Sequence, residues 1–352
     1  MISSATPAGS DLRPAFIVGC PRSGTTLLAS LCDRHSRLAA TPETHFFSKS
    51  AFRRMCSERG SKQFDTRRLA PLFVESQYTR DLELSSQDLL AQLGEREIDL
   101  AEFLNTTLST YAHARGKAGW IEKTPEHLLF ADRIFEWYPQ ARMICIVRDG
   151  RDVALSLKKL PWSITPVRHY AALWVQSAKA LAKVTERWPE NLLTIRYESL
   201  LVSPVETMTE VMRFLGLEFE PQQLDPSLGT GIVPDWEMVL KRNVFGEIDP
   251  SRAFAWKKTA TPKQLRAMHS MMGPCLDQLG YEPGNTPAGS LPVRMYDACL
   301  NRVFRTVFSY KLYWLRWWAR VMLNAVTTAS PYASMREARR RRANAATSSD
   351  HP

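Results

Sequence analysis

Short continuous apolar runs alternate along this chain with longer stretches of helical spacing. The short runs are rich in β-branched residues and occupy 15–20, 142–147 and 192–197, with a weaker fourth run at 120–123. Each run is followed by turn residues and then by a segment of helical periodicity, a pattern that is typical of buried parallel strands. The sequence therefore predicts an α/β fold in which helices flank a central parallel sheet.

Helical periodicity is found at about 24–35, 127–137, 151–160, 166–188, 203–215 and 262–272. Two of these helices carry start signals. Thr124, Pro125 and Glu126 offer an N-cap, a proline in the first turn and an acid near the positive helix end, and 203–206 repeats the arrangement. Trp174, inside one of the predicted helices, is expected to be a core residue.

The length and composition allow one large domain with appendages. A chain of 352 residues, 44% of them hydrophobic, can bury a full core. We assign 1–13 to a flexible N-terminus, 14–285 to the main domain, 286–330 to an amphipathic helix and 331–352 to a disordered basic tail. Within the main domain, 50–118 is polar, irregular and helical in tendency, and we interpret it as a variable cap.

The cysteines and the N-terminus bear on the cellular compartment. The six cysteines include no C-x-x-C pair, so they fit neither a zinc site nor a disulfide scaffold, and reduced thiols are expected. The N-terminus lacks a basic region followed by a long apolar run, and no uncharged apolar stretch reaches 18 residues. These features predict a cytoplasmic protein.

The positive charge of the chain is concentrated near its C-terminus. The formal charge is +10, and from residue 291 onward eleven Arg or Lys stand against three acids. On a helical projection, Arg294, Arg302, Arg305, Arg316 and Arg320 fall within an arc of about 80° opposite a crowded apolar face. Such a helix over 294–322 can contact an anionic membrane at its inner face, or pack on its own domain or on a second subunit of a homodimer. No nucleic-acid partner is expected, because no recognised binding module accompanies the charge.

Residues 19–26 have the spacing of a phosphate-binding loop, G-x-x-x-x-G-T-T, with Thr25 where a lysine usually stands. A strand, a glycine-bearing loop and a helix N-terminus present backbone N–H groups and a positive dipole to an anion. Because the absent lysine would bridge β- and γ-phosphates, the loop should hold a diester-like or mixed anhydride group, with Arg22, Ser23, Thr25 and Thr26 as further donors. The alternative is a Gly-Ser-Thr turn that only caps a buried helix.

The segment P-R-S-G-T-T at 21–26 resembles the 5′-phosphosulfate loop of sulfotransferases that use 3′-phosphoadenosine 5′-phosphosulfate (PAPS). The segment 142–157 resembles their second signature, an arginine that ends a strand and a serine eight residues later. I-E-K-T-P-E-H-L and L-T-I-R-Y-E-S-L also resemble family segments, and the match covers roughly 15–280 in the same order. The loop arginine favours the branch of bacterial and protein-tyrosine sulfotransferases. The resemblance implies a P-loop-like three-layer fold.

The resemblance also implies a donor site. In the family, the equivalents of Arg148 and Ser156 hold the 3′-phosphate. An arginine at the carboxyl end of a parallel strand lies where open α/β sheets bind ligands, although R-D-G-R-D is also an ordinary charged turn. The implied donor-binding set is Arg22, Ser23, Gly24, Thr25, Thr26, Arg148, Ser156, Tyr197, Ser251 and Lys257. Tyr197 could instead be half-buried packing, and Lys258 could serve in place of Lys257.

Three residues are implied in the chemistry. Glu43 matches the glutamate proposed as general base, with His45 as the alternative base. Either residue could instead have only a structural role, Glu43 as an acid in the first turn of a helix that includes Phe46 and Phe47, and His45 as a surface residue. Lys123 would contact the bridging oxygen as charge builds, unless it merely pairs with a neighbouring glutamate, Glu122 or Glu126. Arg22 would share the charge of the transition state.

The sequence thus predicts sulfuryl transfer from PAPS to a hydroxyl of a carbohydrate, glycolipid or other metabolite, with no metal. The cap at 50–118 would bind the acceptor. The alternative is a phosphate-loop kinase, nucleotide hydrolase or nucleotide-binding module that uses ATP. The missing loop lysine and the lack of an evident metal-binding acid after a strand count against ATP. Protein tyrosine is a further candidate acceptor, made less favourable by the lack of a secretory signal.

Overall fold

The computed structural model describes residues 12–48, 52–57, 63–76, 78–160, 163, 166–228, 232, 246–282, 291, 295–300 and 302. The chain divides into two units, Met1–Pro287 and Ala288–Pro352. In the second unit, 295–300 is helical. Apart from 291, 295–300 and 302, the predicted basic helix at 286–330 lies outside the described residues, as do the predicted tail at 331–352 and the N-terminal 1–11.

Seven strands are described: β1 (Ala15–Gly19), β2 (Leu38–Ala40), β3 (Phe64–Asp65), β4 (Glu97–Ile98), β5 (Gly119–Lys123), β6 (Arg142–Val147) and β7 (Leu192–Arg196). Five of them form a parallel sheet in the order β2-β5-β1-β6-β7. The register pairs Ile17 with Lys123 on one side and with Ile144 on the other. Strands β3 and β4 form a separate antiparallel pair.

The described helices are α1 (Thr25–Asp33), α2 (Phe52–Ser57), α3 (Thr66–Val74), α4 (Ser86–Leu93), α5 (Leu100–His113), α6 (Ala131–Trp137), α7 (Gly150–Lys158), α8 (Val167–Arg187), α9 (Tyr197–Val202), α10 (Pro204–Leu215), α11 (Trp256–Thr259) and α12 (Pro262–Gln278). Short 3-10 turns occupy Arg80–Leu82, Pro125–Phe130, Pro189–Asn191, Pro221–Leu224 and Pro250–Arg252. Within the described residues, no helix has the length and apolar character needed to cross a bilayer.

The predicted α/β fold with a central parallel sheet flanked by helices is confirmed. The four apolar runs become β1, β5, β6 and β7, each within one residue of its predicted bounds at either end. Strand β2 was not predicted, because its three residues are too few to stand out as an apolar run. It adds the edge strand beside β5.

Both predicted helix starts differ from the structure in the same respect: neither Thr124 nor Ser203 makes a side-chain capping bond. The Thr124 hydroxyl instead donates to the buried carboxylate of Glu122 at 2.6 Å, and the turn that follows is 3-10 rather than α. Ser203 precedes α10, where its backbone carbonyl accepts from the Thr207 hydroxyl. Pro204 nevertheless occupies the first helical turn, as predicted.

The strand order determines where a ligand can bind. The central strand β1 is buried throughout and lies between β5 and β6. The segments that leave the carboxyl ends of β1, β5 and β6 therefore lie side by side at one edge of the sheet. In open α/β sheets, ligands bind at this edge.

Candidate active site

The loop after β1 is held tightly against its neighbours. Gly19 has a φ of 152°, and a Cβ there would lie 2.6 Å from the carbonyl oxygen of Ile146. Gly24 precedes α1 with a φ of 100°, and a Cβ there would lie 2.4 Å from the Tyr197 ring. Arg22 itself has a φ of 73°, a left-handed conformation that a non-glycine residue adopts at some cost. The loop backbone therefore runs close to β6 and α9.

The hydroxyl-bearing residues of the loop are buried in the protein. Ser23 is fully buried, and Thr25 and Thr26, which begin α1, are also buried. Among the described residues, the Ser23 hydroxyl has no hydrogen-bond partner. A buried polar atom without a partner is costly, so it points to a ligand that would complete it. The helix N-terminus adds a positive dipole at the same place.

The structure brings Arg148 and Ser156 to this loop. The Arg22 Nε donates to the Ser156 hydroxyl at 3.2 Å, and the Arg148 Nη1 donates to the Arg22 carbonyl at 3.3 Å. The Arg148 guanidinium lies 4.4 Å from the centroid of the Tyr197 ring. Four residues from three separate segments thus meet at one point, where two guanidinium groups can bind a phosphate.

Arg148 is mostly buried, and a nearby carboxylate balances its charge. Its side chain is 13% exposed, and Asp152 one turn along α7 lies 3.7 Å from its Nη2. Burial raises the pKa of Asp152 to about 6, although Arg148 acts to lower it. The Arg148 Nε has no partner among the described residues, so the guanidinium retains a donor for an anion.

The late loop around 250–258 reaches the same point through its backbone. The Arg252 carbonyl accepts from the Arg148 Nη2 at 3.3 Å. Ser251 is exposed in the 3-10 turn before α11, and its backbone N–H donates to Asp249. Lys257 is 54% exposed and lies 3.5 Å from Glu282, so the structure does not bring its ammonium to Arg148.

Sequence reasoning missed the residue that anchors this loop. Trp256 is buried, its indole N–H donates to Asp149 at 2.9 Å, and its backbone N–H donates to Asp152 at 2.7 Å. The Arg151 guanidinium stacks over the indole ring at 3.8 Å and also bonds Asp149. The R-D-G-R-D turn at 148–152 therefore does more than supply Arg148: its other charged residues, Asp149, Arg151 and Asp152, anchor the late loop.

Glu43 and Lys123 lie together, Lys123 as the last residue of β5 and Glu43 three residues after the end of β2. The Lys123 Nζ donates to Glu43 Oε1 at 2.9 Å. Lys123 is 1% exposed, whereas Glu43 is 24% exposed, so the pair has a buried cation and a solvent-facing carboxylate. Lys123 therefore pairs with Glu43, and the adjacent Glu122 bonds His127. A substrate would approach this pair from the Glu43 side.

His45, the alternative base, is adjacent to Glu43. Its Nε2 lies 3.3 Å from Glu43 Oε2, and its Nδ1 lies 3.7 Å from Glu126 Oε2. Its ring packs edge-on against Tyr78 of the segment interpreted as the cap. The alternative of Glu43 in the first turn of a helix is wrong, because 41–45 has no regular structure and 46–48 forms a turn. The alternative of a surface His45 is also wrong, because this residue is buried.

A second buried group beside this pair was also missed. Glu122 is fully buried on β5 and accepts hydrogen bonds from Thr44, Thr124 and His127. Burial raises the pKa of its carboxyl, but His127 and the hydroxyls of Thr124 and Thr44 outweigh burial, so the net shift is downward. The sequence signal was I-E-K-T-P-E-H-L itself, which contains a glutamate and a histidine five residues apart on either side of Lys123.

The two halves of this edge are chemically distinct. One half has Arg22, Ser23 and Arg148 around a helix N-terminus, and these groups fit phosphate or sulfate oxygens. The other half pairs the Glu43 carboxylate with the Lys123 ammonium. A carboxylate can accept a proton, and an ammonium can neutralise charge on a departing oxygen. The arrangement suits group transfer from an anionic donor.

Comparisons with known proteins agree with this chemistry. A model of the sulfotransferase family matches residues 14–221. The nodulation protein NoeE of Sinorhizobium fredii is 24% identical over 331 residues, which cover 86% of this chain and 73% of that protein. Protein-tyrosine sulfotransferase 1 of Danio rerio is 23% identical over 286 residues, which cover 79% and 74%.

Solved structures show the same fold. The sulfotransferase domain from the curacin biosynthetic pathway superposes with a TM-score of 0.57 at 22% identity, covering 78% of this chain and 99% of that domain. The sulfotransferase domain from the Synechococcus PCC 7002 olefin synthase gives 0.58 at 22% identity, covering 79% and 98%. Because the family model spans more than half of the chain, this protein is an enzyme that belongs to the sulfotransferase family.

Proposed function

We propose that the enzyme transfers a sulfuryl group from PAPS to a hydroxyl acceptor, a carbohydrate, glycolipid or other metabolite. The observation that carries the proposal is the meeting of Arg22, Arg148 and Ser156 beside the N-terminus of α1. PAPS carries its sulfuryl group at the end of the 5′-phosphate and a separate phosphate on the 3′-oxygen. Residues 22–26 would hold the 5′-phosphosulfate, and Arg148 with Ser156 would hold the 3′-phosphate, supported by Tyr197.

The roles of the remaining residues follow from their placement. The acceptor oxygen forms a bond to sulfur while the bond from sulfur to the 5′-phosphate oxygen breaks, leaving adenosine 3′,5′-bisphosphate with the electron pair. Glu43 accepts the proton of the hydroxyl, since its carboxylate is the exposed member of the pair. Lys123 and Arg22 neutralise the charge on the departing oxygen, and Lys123 is most effective because it is shielded from water.

Donor binding can be tested without knowing the acceptor. Calorimetric titration with adenosine 3′,5′-bisphosphate in EDTA should show metal-independent binding to the wild-type enzyme. Arg148→Ala should weaken it about 10- to 100-fold, since hydrogen bonds to charged groups contribute about 1.5–3 kcal/mol. Arg142→Ala is the matched control, because Arg142 begins the same strand β6 at its opposite end. Binding of ATP with magnesium alone would contradict the proposal and favour a phosphate-loop kinase.

The acceptor class needs a transfer assay. Sulfur-labelled PAPS would be offered with an oligosaccharide, a glycolipid or a tyrosine-containing peptide, and the label followed into each product. The peptide is included because several relatives are named protein-tyrosine sulfotransferases. Release of labelled inorganic sulfate reports transfer to water and needs no acceptor. We expect the sugar-containing probes to be labelled; labelling of the peptide alone would correct the proposed acceptor class and leave the donor unchanged.

A further inference from the structure

Glu122 is a carboxylate in the interior of the protein, and it accepts four hydrogen bonds. Its Oε1 accepts from the hydroxyl and the backbone N–H of Thr44 at 2.8 and 3.4 Å, and from the hydroxyl of Thr124 at 2.6 Å. Its Oε2 accepts from the Nδ1 of His127 at 2.8 Å. Glu122 and His127 both have no exposed surface.

A cluster of this kind is not needed to stabilise the fold. Removing a carboxylate from water is costly, and apolar residues of similar volume often replace buried charges with no loss of stability. On the same face of the sheet, the buried side chains next to Glu122 are apolar: Trp120 two residues earlier on β5 and Phe16, its register partner on β1. The carboxylate of Glu122 is therefore better explained by what its hydrogen bonds hold in place.

Two of the three residues that donate to Glu122 are the immediate neighbours of the two proposed reacting residues. Thr44 follows Glu43, and Thr124 follows Lys123. The hydroxyl of Thr124 also accepts from the backbone N–H of His45 at 3.3 Å. One carboxylate thus connects the segment after β2 to the end of β5.

His127 extends the connection by one more residue. Its Nε2 accepts from the backbone N–H of Phe47 at 3.4 Å, while its Nδ1 bonds Glu122. A ring nitrogen that accepts a hydrogen bond carries no proton, so this geometry assigns the proton to Nδ1, where it is donated to Glu122. The imidazole therefore links Phe47, at the end of the 43–47 segment, to Glu122 on β5. Glu122 itself bonds Thr44, near the start of the same segment.

We propose that Glu122 and His127 are positioning residues that hold the carboxylate of Glu43 against the ammonium of Lys123 for sulfuryl transfer. The inference rests on the proposed function, because it assigns a role through Glu43 and Lys123. Glu43 lies in a segment without regular secondary structure, and the hydrogen bonds from Thr44 and Lys123 tie that segment to β5. Groups that react must be held within a fraction of an ångström, and a displacement of about 1 Å can lower the rate about 100-fold.

The test uses three substitutions in the full chain. Glu122→Gln keeps the shape but places an amide where one carboxylate oxygen now accepts. His127→Phe keeps a ring and removes the Nδ1 donor, whereas His127→Asn keeps a donor at nearly the position of Nδ1. Val211→Ala is the stability control, because Val211 is a buried core residue of α10 outside this cluster.

Each variant would be measured for three properties: kcat for release of labelled sulfate from PAPS, the Kd of adenosine 3′,5′-bisphosphate, and the urea unfolding midpoint. We expect Glu122→Gln and His127→Phe to lower kcat about 10- to 100-fold while the Kd stays within about twofold of wild type. His127→Asn should recover most of the loss, and Val211→Ala should lower the unfolding midpoint without lowering kcat.

The outcomes separate the inference from the function on which it rests. If the wild-type enzyme neither binds adenosine 3′,5′-bisphosphate nor consumes PAPS, the proposed function is wrong and the inference with it. If the wild type is active and both Glu122→Gln and His127→Phe retain kcat within twofold, only the inference is wrong. The same holds if kcat and donor affinity fall in parallel, or if His127→Asn is as impaired as His127→Phe, since either result indicates general disruption.

Discussion

Replacement of Gly24 by alanine tests the packing of the donor loop. Gly24 has a φ of 100°, and an added Cβ would lie 2.4 and 2.8 Å from two ring carbons of Tyr197 and 3.2 Å from Ile146 Cδ1. A left-handed conformation costs a non-glycine residue about 1–2 kcal/mol, and forcing a methyl group into a packed core costs about 1–3 kcal/mol. Gly24→Ala should therefore lower the free energy of unfolding by about 2–5 kcal/mol.

Gly216→Ala is the matched control for the backbone term alone. Gly216 has a φ of 77° at the end of α10, and a Cβ there would meet no described heavy atom within 4 Å. Its substitution should cost only about 1–2 kcal/mol. Urea unfolding of both variants gives the comparison, and calorimetry should show weakened binding of adenosine 3′,5′-bisphosphate in Gly24→Ala only.

A double-mutant cycle isolates the contact with Tyr197. Tyr197→Ala alone should be destabilising, because it removes a buried ring. Combined with Gly24→Ala it should cost less than the sum, by about 1–3 kcal/mol, because the methyl group then has room. The packing argument is refuted if Gly24→Ala costs no more than Gly216→Ala, or if the two substitutions are additive.

Three further outcomes are expected. Ser23→Ala removes a buried hydroxyl that has no partner among the described residues. Urea unfolding should therefore show no loss of stability, while calorimetry shows about 10-fold weaker binding of adenosine 3′,5′-bisphosphate. A stability loss above about 1 kcal/mol would contradict the assignment of this hydroxyl to the donor. Trp256→Phe removes one hydrogen-bond donor to the buried Asp149, so it should lower the free energy of unfolding in urea by about 1–3 kcal/mol. It should also weaken binding of adenosine 3′,5′-bisphosphate, and unchanged affinity would contradict the anchoring role of Trp256. Because burial raises the pKa of Asp152 from 3.8 to about 6, its folded form stays protonated while the unfolded form ionises, and stability falls as pH rises through this window. The free energy of unfolding of Asp152→Asn, measured in urea relative to wild type, should therefore increase by about 1 kcal/mol from pH 5 to pH 7.5. No such relative increase would contradict the raised pKa.

The inner strands β1, β5 and β6 were predictable because they are buried on both faces. A short run rich in apolar and β-branched residues and bounded by turn residues, such as 142–147, is typical of a buried strand, and β6 has the predicted bounds. Helix starts were less predictable, since a hydroxyl can bond whichever acceptor the fold brings near. Thr124 bonds a carboxylate two residues back instead of the following turn, and no local pattern distinguishes the two outcomes.

The site was predictable as separate segments and not as contacts. The loop at 19–26 and the Arg148 to Ser156 spacing are visible in the sequence, but their meeting depends on β6 lying beside β1. Similarly, Glu43 pairs with Lys123 because β2 lies beside β5, and β2 is too short to be recognised. Trp256 was missed because its role depends on contacts with Asp149 and Asp152, which are distant in sequence. Glu122 was considered only as a partner of Lys123, because the spacing of Glu122 and His127 does not show that the two side chains bond each other in the core.

The most direct measurement is sulfuryl transfer from labelled PAPS in EDTA by the wild-type enzyme, Glu43→Gln and Lys123→Ala. We expect the wild-type enzyme to form labelled product without any metal, or to release labelled sulfate when no acceptor is present. Both variants should be at least about 100-fold slower, the lower end of what a positioned proton acceptor contributes, while still binding adenosine 3′,5′-bisphosphate. Transfer that is unchanged in both variants, or no transfer from PAPS by the wild type, would contradict the account.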